Sequence, residues 1–388
     1  MLLDRYYAYA ENRREDLSAK DTDYGRTPLI YAVYKRYTKV IERLLHLGAK
    51  TETRDNRMKS ALIVAARRGD VSIIELLVSY GVDINAGGRI YSGIYRTALY
   101  EAASRNQPDV VKCLLAANAK VNQEGGKYNT ALCAACCTGD ESTVSLLLEK
   151  GADITLSGGR FVNALSCAVY SKSASLVNRL INAGIEASEI NAQDKQGRTA
   201  VHIAARYCDW EVIGMLRNKG ADLAKVDKQH RTLLHYAVLG SDLSLVMSIL
   251  NDEMLRSQIH ARDVDQWTPL HWACRVIGNS SVVSALIDHG ADVRGLTPYG
   301  WTPQNIAIFH DEPEIARVLE ENAKENDCNT NVAPSDAPDR EADPKAAIRR
   351  QWRVASHKSS SKCDSCFTEV SYAQLPYGEH FASHRDDG

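Results

Sequence analysis

Trp267-Thr268-Pro269-Leu270-His271-Trp272-Ala273 reads as the opening of a short helix. Thr268 is an N-cap type, whose side-chain oxygen takes an orphan amide of the first turn. Pro269 suits the next position, where a missing N–H costs nothing. Outward from this stretch the opening returns as Thr27-Pro28-Leu29, Ser60-Ala61-Leu62, Thr97-Ala98-Leu99, Thr130-Ala131-Leu132 and Asn163-Ala164-Leu165. It recurs again as Thr199-Ala200-Val201, Thr232-Leu233-Leu234 and Thr302-Pro303. The nine starts are separated by 33, 37, 33, 33, 36, 33, 36 and 34 residues. A period this regular overrides the two or three globular domains that 388 residues would suggest.

Each unit reads alike. The first helix carries small pairs such as Ala65-Ala66, Ala102-Ala103 and Ala204-Ala205, which admit close neighbours. A second helix follows with apolar residues at helical spacing, as in Val71-Ile74-Leu77 and Val144-Leu147-Leu148. It stops at Gly48, Gly81, Gly151, Gly184, Gly220 and Gly290, with Asn118 in the same slot of the third unit, because a positive φ is expected there.

These residues resemble the ankyrin repeat in the Thr-Pro-Leu-His-like start, the Gly-Ala-Asp stop and the period. The resemblance covers residues 21–320 and implies an all-α solenoid of about nine repeats, each a helix-turn-helix unit with a short β-hairpin finger. It also implies that His202, His235 and His271 hydrogen-bond between repeats. Three successive fingers open with Gly87-Gly88, Gly125-Gly126 and Gly158-Gly159 and then carry an aromatic, a variant similar to ankyrin arrays of filamentous fungi. Unit seven has Asn251-Asp252-Glu253-Met254 where the stop belongs, so an irregular end and a weak joint are expected.

Outside the array, residues 1–20 read as a partial starting helix or cap, and residues 321–361 as a disordered linker rich in Asn, Asp, Glu and Pro. Residues 362–388 hold Cys363, Cys366, His380 and His384. Their spacing is near that of a two-Cys two-His zinc finger, but Pro376 and Gly378 interrupt the helix such a finger needs. The local sequence also resembles the start of a ZZ-type zinc finger whose second half is missing. A remnant without metal and a zinc site both stay open, and no other cofactor is expected.

Formal net charge is −2, which gives no global field toward nucleic acid or an anionic membrane, and neither partner is expected. No apolar run spans a bilayer and no secretory leader is visible, so an intracellular place, cytoplasmic or nuclear, with reduced thiols is expected. Cys133, Cys136 and Cys137 fall in packing slots, and no nucleophile–base set or phosphate loop is found, so a non-enzymatic monomer is expected. The function expected is a protein–protein interaction scaffold using the concave helix face and the fingers. The alternative is a sensor or regulatory module acting with an NTPase or effector on another chain. Residues near the caps are expected to point outward and anchor a protein partner: Tyr24, Arg26, Tyr91, Tyr95, Arg96, Tyr128, Phe161, Arg198, Arg231, Trp267, Tyr299 and Trp301.

Overall fold

A computed structural model describes residues 17–57, 59–89, 95–207 and 210–330. Nine helix pairs follow one another among these residues. The first helices are Pro28–Lys35, Ala61–Arg68, Ala98–Ala103, Ala131–Thr138, Ala164–Tyr170, Ala200–Tyr207, Leu233–Gly240, Pro269–Ala273 and Pro303–Phe309. Their partners are Thr38–His46, Val71–Ser79, Pro108–Ala116, Glu141–Glu149, Ala174–Asn182, Trp210–Asn218, Leu243–Asn251, Ser280–Asp288 and Pro313–Thr330. The caps follow the sequence: side chains of Thr27, Ser60, Thr97, Thr130 and Asn163 each accept from the amide three residues on. Gly48, Gly81, Gly151, Gly184, Gly220 and Gly290 all take positive φ, as does Asn118.

Each first helix packs on the first helices before and after it, and each second helix on its own first-helix partner and in several units on a neighbouring second helix. Ala61 to Ala66 is buried without interruption, whereas Val71–Ser79 buries only Ile73, Ile74 and Leu77. The apolar core is therefore one ribbon running through all nine units. We call the side formed by first helices and fingers the inner face.

The fingers are simpler than hairpins. Regular pairing among the described residues is confined to Gly88–Arg89 with Tyr95–Arg96, antiparallel, Gly88 opposite Arg96. Elsewhere backbone bonds within the turn close it, such as Asp194 N–H to the Arg198 carbonyl (2.9 Å) with Gly197 N–H to Asp194 (2.8 Å), or Asp227 to Arg231 (3.1 Å) with His230 to Asp227 (3.0 Å). A further bond ties several tips to the preceding one, as from Lys228 N–H to Gln196 (2.9 Å) and from Val264 N–H to Gln229 (3.0 Å). The double glycines answer to close approach: a Cβ at Gly126 (φ 82°) would lie 2.2 Å from the Tyr100 ring, and one at Gly159 (φ 75°) 2.7 Å from the Lys127 carbonyl.

Two boundaries differ from expectation. The last helix runs on through Thr330, so helix replaces the start of the expected linker at 321. In unit seven the second helix does end irregularly, at Asn251, but a 3₁₀ turn over Arg256–His260 fills the gap with buried Leu255, Gln258 and Ile259. This joint is packed, and an Arg217–Asp252 ion pair (2.5 Å) crosses it to unit six. The expected starting helix falls almost wholly on residues 1–16, outside the described residues, as do the rest of the expected linker and the tail.

Candidate interaction face

The helix starts of units six to eight are clamped by histidine. His202, His235 and His271 each present Nδ1 to the N–H of their own cap threonine, at 3.1, 3.2 and 3.2 Å. Nδ1 is thus the acceptor and Nε2 carries the proton. His235 Nε2–H donates to the Trp267 carbonyl (3.2 Å) and His271 Nε2–H to that of Gly295 (3.1 Å), each in the next finger. Burial holds all three pKa values down to about 4, which keeps the rings neutral and structural. Asn305 does the same at the ninth cap, accepting from the Thr302 N–H (3.0 Å).

Along the inner face each of the first eight units places a cation over an aromatic ring, that of the second unit lying over the first unit's ring. In the first four these are Arg26 over Tyr34 (4.3 Å), Arg68 over Tyr34 (5.2 Å), Arg96 over Tyr100 (5.9 Å) and Lys127 over Tyr128 (5.6 Å). The next four are Arg160 over Tyr170 (5.9 Å), Arg206 over Tyr207 (5.5 Å), Arg231 over Tyr236 (5.2 Å) and Arg275 over Trp272 (5.6 Å). These distances fall within cation–π range. Rings also meet one another along the face: Tyr128 stacks on Phe161 of the next unit (6.4 Å), Phe161 meets Tyr170 of its own unit (4.7 Å), and Tyr170 meets Tyr207 of the next unit edge-on (5.4 Å).

The expected anchors divide in two. Phe161 (0% exposed), Arg198 (5%), Trp301 (6%) and Trp267 (7%) are buried, not outward. Three of them, Arg198, Trp267 and Trp301, sit directly ahead of the cap where the chain leaves the finger, and the two tryptophans lie against the first helix they open. Trp267 packs on His271 and Trp272, Trp301 on Phe309, and Arg198 binds Asp194 through Nε (2.8 Å). These residues form the floor of the face. Tyr24 is exposed, while Arg26, Tyr128, Arg231 and Tyr299 are half-buried on it. Arg96 is half-buried too and pairs with the buried Glu101 (2.7 Å). The backbone of Tyr95 pairs with Arg89, and Tyr91 lies outside the described residues. So do Cys363, Cys366, His380 and His384.

The rim that sequence reading missed is made of Tyr34, Tyr170, Tyr207, Trp272, Arg275 and Phe309, all half-buried. Their signal was an aromatic or Arg four, seven or eight residues after the cap, on the side of the first helix turned away from its partner.

Units seven and eight enclose a cleft of about 350 Å³ lined by Gln229, Arg231, Asp263, Asp265, Trp267, Trp272 and Arg275. Arg231 reaches Asp227 through Nε (2.8 Å), and Tyr236 Oη–H donates to the same carboxylate (2.7 Å). Burial works to raise the Asp227 pKa, but these bonds outweigh it and hold the group below the usual carboxylate range. In Asp263 the balance reverses: burial dominates and lifts its pKa, although it accepts from the Trp267 N–H (2.8 Å) and the Trp272 indole N–H (2.9 Å). The i+4 position that supplies Arg198 and Arg231 to the two preceding aspartates is Trp267 here.

Burial pushes the thiols of Cys136, Cys167 and Cys274 up, and a bond to Cys167 does so for Cys133, so they stay protonated packing groups. Among the described residues no three His, Cys, Asp or Glu side chains are grouped to hold a metal ion. No helix among them is long and apolar enough to cross a membrane.

The family model "Ankyrin repeats (3 copies)" matches residues 10–88, 62–157, 165–253 and 243–332. Among curated proteins the chain is similar to ankyrin repeat domain-containing protein SAT10 of Stachybotrys chartarum, 26% identical over 198 residues, covering 47% of this chain and 10% of that protein. It is 30% identical over 141 residues to neurogenic locus notch homolog protein 1 of Xenopus laevis, covering 36% of this chain and 6% of that one. Putative ankyrin repeat protein YahD of Escherichia coli is 25% identical over 166 residues, 34% of this chain and 83% of YahD. The chain thus spans a tenth or less of the first two relatives. Among solved structures, the ankyrin repeat domain of Bcl-3 is 28% identical with a TM-score of 0.44, over 54% of this chain and 93% of that one. The chain belongs to the ankyrin repeat family, whose domains generally mediate protein–protein interaction and are generally non-catalytic modules.

Proposed function

We propose that this ankyrin array is a non-catalytic scaffold that binds a polypeptide partner along its inner face. The observation that carries this reading is the ladder of eight cations, one from each of eight successive units, over seven aromatic rings. Tyr, Trp and Arg are the side chains that dominate protein interfaces, because they bury large area while keeping a polar handle. A half-buried ring already held from below has little entropy left to lose when a partner covers it.

The test is cross-linking with mass spectrometry on the full chain and a partner recovered with it. Cross-links should concentrate on first helices and fingers. Arg206→Ala/Trp272→Ala should weaken binding about tenfold or more, as loss of an interface anchor does, while Lys112→Ala/Glu149→Ala on the second helices should leave it unchanged. Binding lost by the second variant and kept by the first would overturn the assignment of the face.

A further inference from the structure

The net charge of −2 conceals a polarity along the array. Residues 17–70 carry twelve Lys and Arg against six Asp and Glu, residues 71–260 balance at nineteen each, and residues 261–330 carry five against eleven. The first end of the ribbon is therefore strongly cationic and the last strongly anionic.

At the cationic end the charges converge on exposed tyrosine. Arg26 lies over both Tyr24 (4.1 Å) and Tyr34 (4.3 Å), Arg68 of the next unit lies over Tyr34 (5.2 Å), and Lys35 reaches Tyr31 (5.8 Å) and Tyr34 (5.9 Å). Three cations thus crowd one ring, and Tyr24 and Tyr31 remain 38% and 40% exposed. Like charges held this close repel one another, and an anionic occupant relieves that cost while covering the rings.

We propose that the first two units dock an acidic segment of a polypeptide, one with spaced Asp or Glu side chains. This rests on the reading of the inner face as the binding surface and names the chemistry at one end of it. A peptide fits better than a nucleic acid because carboxylates interrupt the patch. Asp70 pairs with Arg36 (2.6 Å) and Arg68 (3.6 Å), and Asp21 caps the turn that carries Tyr24 and Arg26. A strand with a phosphate at every nucleotide would press against them, whereas spaced carboxylates pass between.

Fluorescence anisotropy of a labelled Glu-Gly repeat peptide with the full chain tests this. Binding is expected at low salt and should weaken about tenfold on raising salt to physiological strength. Arg26→Gln/Lys35→Gln/Arg68→Gln should weaken it by a similar factor at low salt, with Lys112→Gln, on a second helix, without effect and circular dichroism of both variants unchanged. Equal binding by the triple variant overturns the proposal. So does a single-stranded oligonucleotide that outcompetes the peptide, or self-association in sedimentation that the triple variant abolishes, which would make a second copy the occupant. Should the peptide fail while Arg206→Ala/Trp272→Ala still loses its partner, the inner face stands and only the acidic class falls.

Discussion

A single side chain in this chain acts chiefly through the repeat before or after it, and two predictions belong to that scale. His202, His235 and His271 take up their protons near pH 4 when folded but near 6.5 when unfolded. Between those values the unfolded chain binds more protons, so stability is flat above pH 6.5 and falls as pH drops toward 4. At pH 5.5 the cost is about 1.4 kcal/mol per histidine, roughly 4 for the three. Urea midpoints at pH 7.5 and 5.5 measure it. The triple change of these histidines to Asn should flatten the difference, since Asn305 already fills that slot at the ninth cap. A variant with the same pH loss as the parent would assign the effect to other groups. Trp267→Ala should act on stability in turn, costing about 3–5 kcal/mol by thermal or urea unfolding, because its indole is buried between His271 and Trp272.

Elements are where the sequence was most and least legible. Helix starts and stops could be read because a cap oxygen or a positive φ is a local demand on one residue, met at Thr130 and at Gly151 alike. Burial of the residue ahead of the cap is not local. Trp267 and Trp301 look like exposed aromatics on a turn until the fold lays Trp272 and Phe309 of the helices they open against them, so they point inward. Unit seven shows the same limit. The missing stop was visible at Asn251 to Met254, but nothing near it in sequence showed that Gln258 would close the gap. Its Oε1 accepts from the Leu234 N–H (3.1 Å) and its Nε2–H donates to the Leu223 carbonyl (3.1 Å), joining the 3₁₀ turn to the unit's first helix and to the turn that follows the sixth unit's second helix. Gln258→Ala should cost about 2–4 kcal/mol, since it strands a buried donor and a buried acceptor together. A denaturation midpoint within error of the parent would show that water or a rearranged turn satisfies both groups.

At the scale of the molecule, the absence of a central core decides how damage spreads. Stability in a stacked array sums over units and the interfaces between neighbours, so a cavity in the middle weakens two interfaces and one at the end weakens a single one. Leu147 in the fourth unit and Ile306 in the ninth are both buried and aliphatic, which makes them a matched pair. Leu147→Ala should cost about 2–5 kcal/mol and lower the main unfolding transition. In hydrogen exchange, residues 98–182 should lose protection first. Ile306→Ala removes a comparable side chain, yet its loss should stay with residues 303–319 and leave the main transition close to the parent's, because the eight preceding units keep every interface of their own. Equal shifts of the main transition in both variants would mean that the ribbon unfolds as one cooperative body, and that neighbour-by-neighbour summation fails for this array.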